Sequence, residues 1–294
     1  MNIMKRFVVL WLVAWMLMGC KAQSHEDAAS GETTFVTYKG EATLLYGLAD
    51  YSEADGEDGD FYQFNDWRLF WPEKVNGKKS ELLHKALASQ LMPQGGPEGL
   101  HMTYDEPTAR GLVAGMEQCI CADSPINIRK VKKPDVDALA PGQMSSMRWI
   151  LRLKENNERV YVFEAFRSYY FAGAAHGMYN FAYVSYDSQL DKEIKLTDVV
   201  TDTVKLRQVA TQYLFEENDV KTMEQLVEKT GYFIYEPLLP LPSAFYYDGV
   251  TLHFVYQPYE IASYADGKLD IEIPTYMLQD AEIMTEYAQK LATF

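Results

Sequence analysis

Three cysteines in 294 residues are too few for a disulfide framework, and one of them, Cys20, closes an N-terminal apolar leader. The other two stand in "EQCICAD" as Cys119 and Cys121. On a strand, residues i and i+2 point the same way, so a bridge between them needs strained geometry. No histidine or cysteine lies nearby at zinc-type spacing, so two free thiols or one strained bridge is the reading, and no metal is expected. Basic residues are also scarce, 27 against 42 acids, for a net charge of −15. That balance argues against nucleic acid and anionic lipid as partners and favours basic ones. Internal repeats are absent. The acidic run "EADGEDGDFYQFND" (Glu53–Asp66) invites calcium, but an EF-hand loop needs glycine at its sixth position and this one has Asp60 there. No nucleophile-elbow pattern surrounds a serine, and no motif asks for a cofactor.

Long apolar runs are missing except at the start, where Lys5 and Arg6 precede Phe7–Met18. That run is too short for a permanent membrane span, so residues 1–19 read as a cleaved export signal. "LMGC" (Leu17–Cys20) resembles the bacterial lipoprotein signal, which makes Cys20 the expected lipid-attachment site and the cell envelope the expected location. Lys21 stands where inner-membrane-retained lipoproteins often carry Asp, which favours an outer membrane if the organism has one. Residues 20–34 are small and polar, a tether. Removing Lys5 and Arg6 with the leader takes the net charge from −15 to −17.

The remainder is 35–165 and 166–294, with ample material for a core or for two small ones at 48% hydrophobic residues. "TFVTYKGEATLLYGLADY" (Thr33–Tyr51) reads as strand, and "RLFWPE" (Arg68–Glu73) as a strand stopped by Pro72. Leu82, Leu83, Ala86, Leu87 and Leu91 recur at helical spacing, with His84 among polar neighbours and expected to be exposed. Residues 131–143 read as a connection, and Ser146–Phe171 as a hairpin of two alternating strands around "ENNE". A strand and short strand follow over Gly177–Leu196. Next come an amphipathic helix after a Thr201–Asp202–Thr203 cap and a shorter helix over Val220–Lys229. Strands return over Ser243–Leu278, with a turn at Asp248–Gly249. Strands flank helices without a βαβ rhythm, so the expected class is α+β: a largely antiparallel sheet with a few packed helices, in two closely associated subdomains.

Two stretches carry candidate chemistry. In "YYFAGAAHGMYN" (Tyr169–Asn180), His176 lies among small residues at a hairpin end, where a histidine usually bonds backbone carbonyls and fixes the turn. As a general base it would need a nucleophile and an orienting carboxylate, for which Ser168 and Asp187 are the near candidates. In "YQPYEIASYADG", Tyr256, Tyr259, Glu260 and Tyr264 could line a groove for sugar rings or a basic protein. The alternative is an edge strand, bent at Pro258, whose tyrosines pack on the core. His176, in a loop expected also to face a ligand, and Tyr179 join this ligand-binding set from the first stretch. His253, alternating with apolar neighbours in "VTLHFVY", is expected on the outer face of its strand.

The order "GAAHGMYN", "KLTDVV", "AFYYDGVTLHFVYQPYEIASYADG", "IEIP" over Tyr169–Leu278 resembles the RsiV-like family. This is the C-terminal domain of the anti-sigma factor RsiV, shared with an accessory region of the peptidoglycan deacetylase PdaC and with many bacterial lipoproteins. Leu69–Met92 is similar to the domain that usually precedes it, so the resemblance implies a PdaC-like N-terminal domain over 35–165 and an RsiV-like one over 166–294. The family turn usually reads Gly-Gly-Ala-His. Here Ala174 takes a glycine's place, where a glycine-only backbone angle would be strained. The resemblance implies an α+β fold and an envelope role; in RsiV this domain binds lysozyme, and in PdaC the deacetylase chemistry sits in another domain. That domain's Asp-Asp and His-x-x-x-His pairs have no match here. The expectation is a non-catalytic lipoprotein binding a lysozyme-like basic protein, a peptidoglycan fragment or a glycan. The competing expectation is a wall-polymer hydrolase or transferase using His176 and nearby carboxylates.

Overall fold

The computed structural model describes residues 32–47, 61–92, 100–101, 106–118, 120–121, 127–139 and 142–292. The leader, Cys20, most of the tether, most of the acidic run before Phe61, and Cys119 lie outside them, as does the side chain of Cys121.

Strands β1 (Thr34–Gly47), β2 (Phe61–Lys74), β5 (Asn127–Val131), β6 (Met144–Asn156), β7 (Val160–Tyr170), β8 (Met178–Asp187) and β9 (Lys192–Ile194) form one seven-stranded sheet in the order β5-β1-β2-β6-β7-β8-β9. A two-residue pair, β3 (Leu100–His101) with β4 (Ile120–Cys121), stands apart. Every pairing in the large sheet is antiparallel except β2 with β6, which runs parallel from Tyr62↔Met144 to Leu69↔Leu151. A parallel pair needs a long crossover. This one contains α1 (Glu81–Leu91) and α2 (Ala109–Glu117).

The strand at "RLFWPE" is not stopped by Pro72 but runs on to Lys74. The β6 ladder ends at Leu69, and Pro72 pairs only with Phe35 beside a bulge in β1, where a missing N–H does least harm. The carbonyl of Pro72 is taken by His84, whose Nε2 lies 2.7 Å away. His84 is therefore buried, contrary to the exposure its polar sequence neighbours suggest. Its ring packs 5.0 Å from that of Trp71.

The predicted hairpin is β6–β7, and its strands alternate between two cores. Tyr161, Phe163 and Ala165 join Trp71, Trp149 and the α1 leucines in one cluster; Val160 and Val162 join the other. Leu83, Leu87 and Leu91 on α1 are almost wholly enclosed, each contributing about 2 kcal/mol on the buried-area scale. The second cluster gathers the C-terminal half. It takes in α3 (Leu196–Val199), α4 (Thr203–Glu217), α5 (Met223–Thr230) and a three-stranded antiparallel sheet of β10 (Ala244–Tyr247), β11 (Thr251–Tyr256) and β12 (Leu269–Pro274). The last two helices, α6 (Thr275–Asp280) and α7 (Glu286–Leu291), also pack there, so strand structure ends at Pro274 rather than Leu278. Asp202 caps α4 by accepting from the N–H groups of Val204 and Lys205. The class is mixed α+β, as expected. The described residues form one compact unit, and β7 crosses the 165/166 boundary.

Candidate functional site

The loop after β7 and the loop after β11 meet at the surface. Gly173 supplies the left-handed angle of the first loop (φ 81°), so Ala174, placed one residue on, escapes the strain the substitution suggested. His176 then sits exposed, its Nδ1 2.9 Å from the carbonyl of Gly177 and its Nε2 3.4 Å from the hydroxyl of Tyr259. The imidazole stacks on Tyr264 with ring centres 4.4 Å apart; Tyr264 meets Tyr259 at 5.6 Å and Tyr179 edge-on at 5.6 Å. Four of the six predicted ligand residues thus form one ring platform from two chain segments more than 70 residues apart.

The other two support it rather than belong to it. Tyr256 is wholly buried, and its hydroxyl donates to the carbonyl of Pro240 at 2.6 Å. β11 is the central strand of its sheet, not an edge, and it ends at Tyr256 before Pro258. The carboxylate of Glu260 accepts from the N–H and hydroxyl of Ser243 (2.6 and 2.9 Å) and from the N–H of Gln257 (2.8 Å). These bonds hold the turn that presents Tyr259 at φ 69°, a left-handed angle costly for a bulky residue, with its side chain 51% exposed. On the far side, Ser263 and Asp266 cap the short turn that carries Tyr264. Gly267 passes so close to Tyr179 that an added Cβ would stand 3.3 Å from its hydroxyl.

Ring contacts run inward from Tyr179 to Phe181 and Phe166, and Lys268 Nζ lies 4.3 Å over the Phe181 ring. Lys268 continues to the Tyr183 hydroxyl (2.9 Å) and to Glu164 (3.3 Å), a carboxylate only 1% exposed that also pairs with Arg152 at 2.6 Å. Two cations and a phenol satisfy this buried acid. Burial, with Glu164 next in effect, pushes the Tyr183 hydroxyl well above the ordinary phenol range, so it is a neutral donor.

His253, predicted on an outer face, is buried instead, for a reason found away from its own strand neighbours. Its Nδ1 lies 3.0 Å from Asp270 and its Nε2 3.7 Å from Asp248, and Tyr246 stacks on it at 4.0 Å. Burial disfavours the imidazolium, but the hydrogen bonds and charges of Asp248 and Asp270 outweigh it and lift the pKa to about 9. His253 is therefore a cation at neutral pH, tying together three strands. Sequence reasoning missed this group because both carboxylates come from other segments. The Asp248–Gly249 turn was the one available signal.

Neither near candidate completes a triad at His176. Asp187 lies at the opposite end of β8, held by Arg159 at 2.9 Å and by the Tyr287 hydroxyl at 3.1 Å. Ser168 pairs across the sheet with Tyr179. Among the described residues no hydrogen bond joins His176 to a carboxylate, and these contain no cluster of three metal-ligating side chains. No described helix is long and apolar enough to cross a membrane.

The fold defines an α+β protein whose C-terminal half carries the platform, and it is this half that a sequence family recognises. Residues 184–276 match the family described as protein of unknown function DUF3298, so the chain carries a DUF3298 domain there. Two crystal structures share the wider fold. One is a DUF3298 family member from Bacteroides fragilis, with TM-score 0.60, 16% identity, and coverage of 90% of this chain and 99% of that one. The other is a DUF3298 family protein from Pseudomonas aeruginosa PAO1, with TM-score 0.52, 13% identity, and coverage of 87% and 96%. No curated protein matches this sequence.

Proposed function

We propose that this protein is a non-catalytic, lipid-anchored envelope protein of the RsiV-like kind. It uses the His176–Tyr179–Tyr259–Tyr264 platform to bind a wall-related ligand, either a lysozyme-like basic protein or a peptidoglycan glycan. The observation that carries this reading is Tyr259, an exposed aromatic held at an unfavourable backbone angle by a hydrogen-bonded turn and set beside the exposed ring of His176 and the half-buried ring of Tyr264. Strain of that kind at the surface is characteristic of residues kept for contact rather than packing. Ring faces suit sugar rings and cationic side chains alike. The net charge of −15 adds long-range attraction for a basic protein. The leader and Cys20 support an envelope location, and Lys21 an outer membrane where one exists. The hydrolase reading has less support, since His176 engages two rings and a carbonyl rather than an acid and a nucleophile.

The test is binding of the chain from Gly31 onward to lysozyme and to muropeptides, at low and moderate salt. The expected result is binding that weakens with salt for lysozyme, and at least about tenfold weaker binding for Tyr259→Ala with an unchanged fold. Binding that ignores Tyr259→Ala and Tyr264→Ala would remove the platform from the mechanism. Binding to neither ligand would remove the wall-related reading.

A further inference from the structure

Arg167 stands opposite Asn180 in the β7–β8 pairing, on alternate positions from Phe166 and the platform residue Tyr179. Both side chains line a cleft of about 350 Å³ where β8 loses its outer neighbour, since β9 pairs only with Ser185–Asp187. The far wall of the cleft is β10, the outer strand of the small sheet, and the Gln257 amide spans the gap by bonding both the N–H and the carbonyl of Phe181 at 2.8 Å.

Arg167 is the anomaly. Its Nε is buried with no hydrogen-bond partner, and its guanidinium forms no ion pair with any described residue. The residue facing it on β6, Trp149, also has a buried indole N–H without a partner among the described residues. Burial, only partly offset by Tyr169, brings the Arg167 pKa down to about 10, so the group is still a cation at neutral pH. Arg167 is half-buried, and a cation with one sealed N–H and no ion pair is costly, since proteins ordinarily pair such a group or leave it fully wet. Glu193, a carboxylate lining the same cleft, lies 3.9 Å from Lys195 instead. The Arg167 guanidinium, without an ion pair among the described residues, therefore keeps bonding capacity to spare where it lines a space the size of a small molecule.

We propose that this cleft is a binding site for a ligand carrying a carboxylate, gripped by the Arg167 guanidinium with the Asn180 amide beside it. A planar fork of N–H donors matches a carboxylate edge to edge. A monoanion fits the local charge better than a phosphate dianion, because Glu193 lines the cleft and the whole chain is strongly acidic. This site goes beyond the ring platform and does not depend on it.

The experiment is a titration of the full chain with N-acetylglycine, with its neutral amide and with inorganic phosphate, followed by thermal shift and by NMR of the arginine side-chain signals. N-acetylglycine should raise the melting temperature and shift the Arg167 Nε–H resonance, and the amide should do neither. Arg167→Met should bind about tenfold or more weakly, as expected for a lost charge-assisted pair. Asn180→Leu, which leaves the cation in place, should weaken binding several-fold and serves if Arg167→Met fails to fold. Equal responses to acid and amide, or an undiminished response in the variants, would overturn the site. Phosphate outcompeting the carboxylate would overturn the assignment of ligand class. Tyr259→Ala should leave the N-acetylglycine response intact, which separates failure here from failure of the platform.

Discussion

Two histidines in the C-terminal half occupy opposite situations. His176 is exposed, donates its one short bond to the carbonyl of Gly177, and spends its ring faces on Tyr259 and Tyr264. His253 is enclosed, stacked on one face by Tyr246 and clamped between Asp248 and Asp270. The first can change without disturbing the core; the second cannot. A histidine held by carboxylates and charged at neutral pH is here a structural cation, while the one without a carboxylate is the candidate for ligand contact. Proximity of acids to a histidine, often taken as a sign of chemistry, points the other way in this fold.

The largest expected effect comes from removing the structural member of the pair. His253→Leu should destabilise the protein by about 3 kcal/mol, because it leaves two carboxylates that lean on one cation without it. Chemical denaturation measures this directly. His176→Ala should cost less than about 1 kcal/mol. Comparable losses from both variants would break the contrast.

A pH series sharpens it next. The folded pKa of His253, about 9, lies above its ordinary value of 6.5, so its stabilisation is complete below pH 6.5 and lost as pH climbs through 9. Asp248 and Asp270 shift the opposite way. Burial raises them, but hydrogen bonding to His253 outweighs it, joined in Asp248 by the N–H groups of Val250 and Thr251 and in Asp270 by the charge of His253. Their share is present above the ordinary carboxylate pKa of 3.8 and lost as pH falls through the depressed value. Stability should therefore fall between pH 6.5 and 9.5, below the range where exposed tyrosines ionise. The His253→Leu protein should show a flat line over the same span. A slope surviving in that variant would place the titrating group elsewhere.

How far such contrasts can be read from sequence depends on the reach of the interactions. The β6–β7 hairpin, the Asp202 cap and the Asp248–Gly249 turn are local, and alternation or turn chemistry announces them. The parallel pairing of β2 with β6 is set by a crossover of about 70 residues, and no periodicity encodes it. The burial of His84 and His253 escapes the sequence for the same reason. The carbonyl of Pro72 and the carboxylates of Asp248 and Asp270 arrive through tertiary structure. Around the platform, aromatic content points to the stretch that carries Tyr259 and Tyr264 but does not separate Tyr256, which faces the core, from Tyr259, which the turn rotates outward. Arg167 gave no signal at all, since an arginine on an alternating strand reads as an ordinary outward residue until its missing partner is seen.

The turn itself offers a smaller effect. Glu260→Ala removes three acceptor contacts and should cost about 1–2 kcal/mol, discounted because the site is partly solvated. It should also weaken ligand binding by the platform, and Glu260→Gln should restore part of both. If stability fell while binding held, the turn would not be what positions Tyr259.

The smallest stability effect is the most informative in sign. At φ 69°, Tyr259 occupies an angle that glycine adopts freely, and its ring is half exposed, so little burial offsets the strain. Tyr259→Gly should therefore leave stability unchanged or raise it by up to about 1 kcal/mol, while abolishing its contribution to the ring platform. Tyr259→Ala separates the two effects, because it removes the ring but keeps the strained angle. A gain with glycine, no gain with alanine, and loss of binding with both would mean that the fold carries a cost at this residue for the sake of contact. A clear loss of stability with glycine would mean instead that the Tyr259 ring packs more strongly than its exposure suggests, and the distinction between a structural and a contact residue would then have to be drawn at His176 alone.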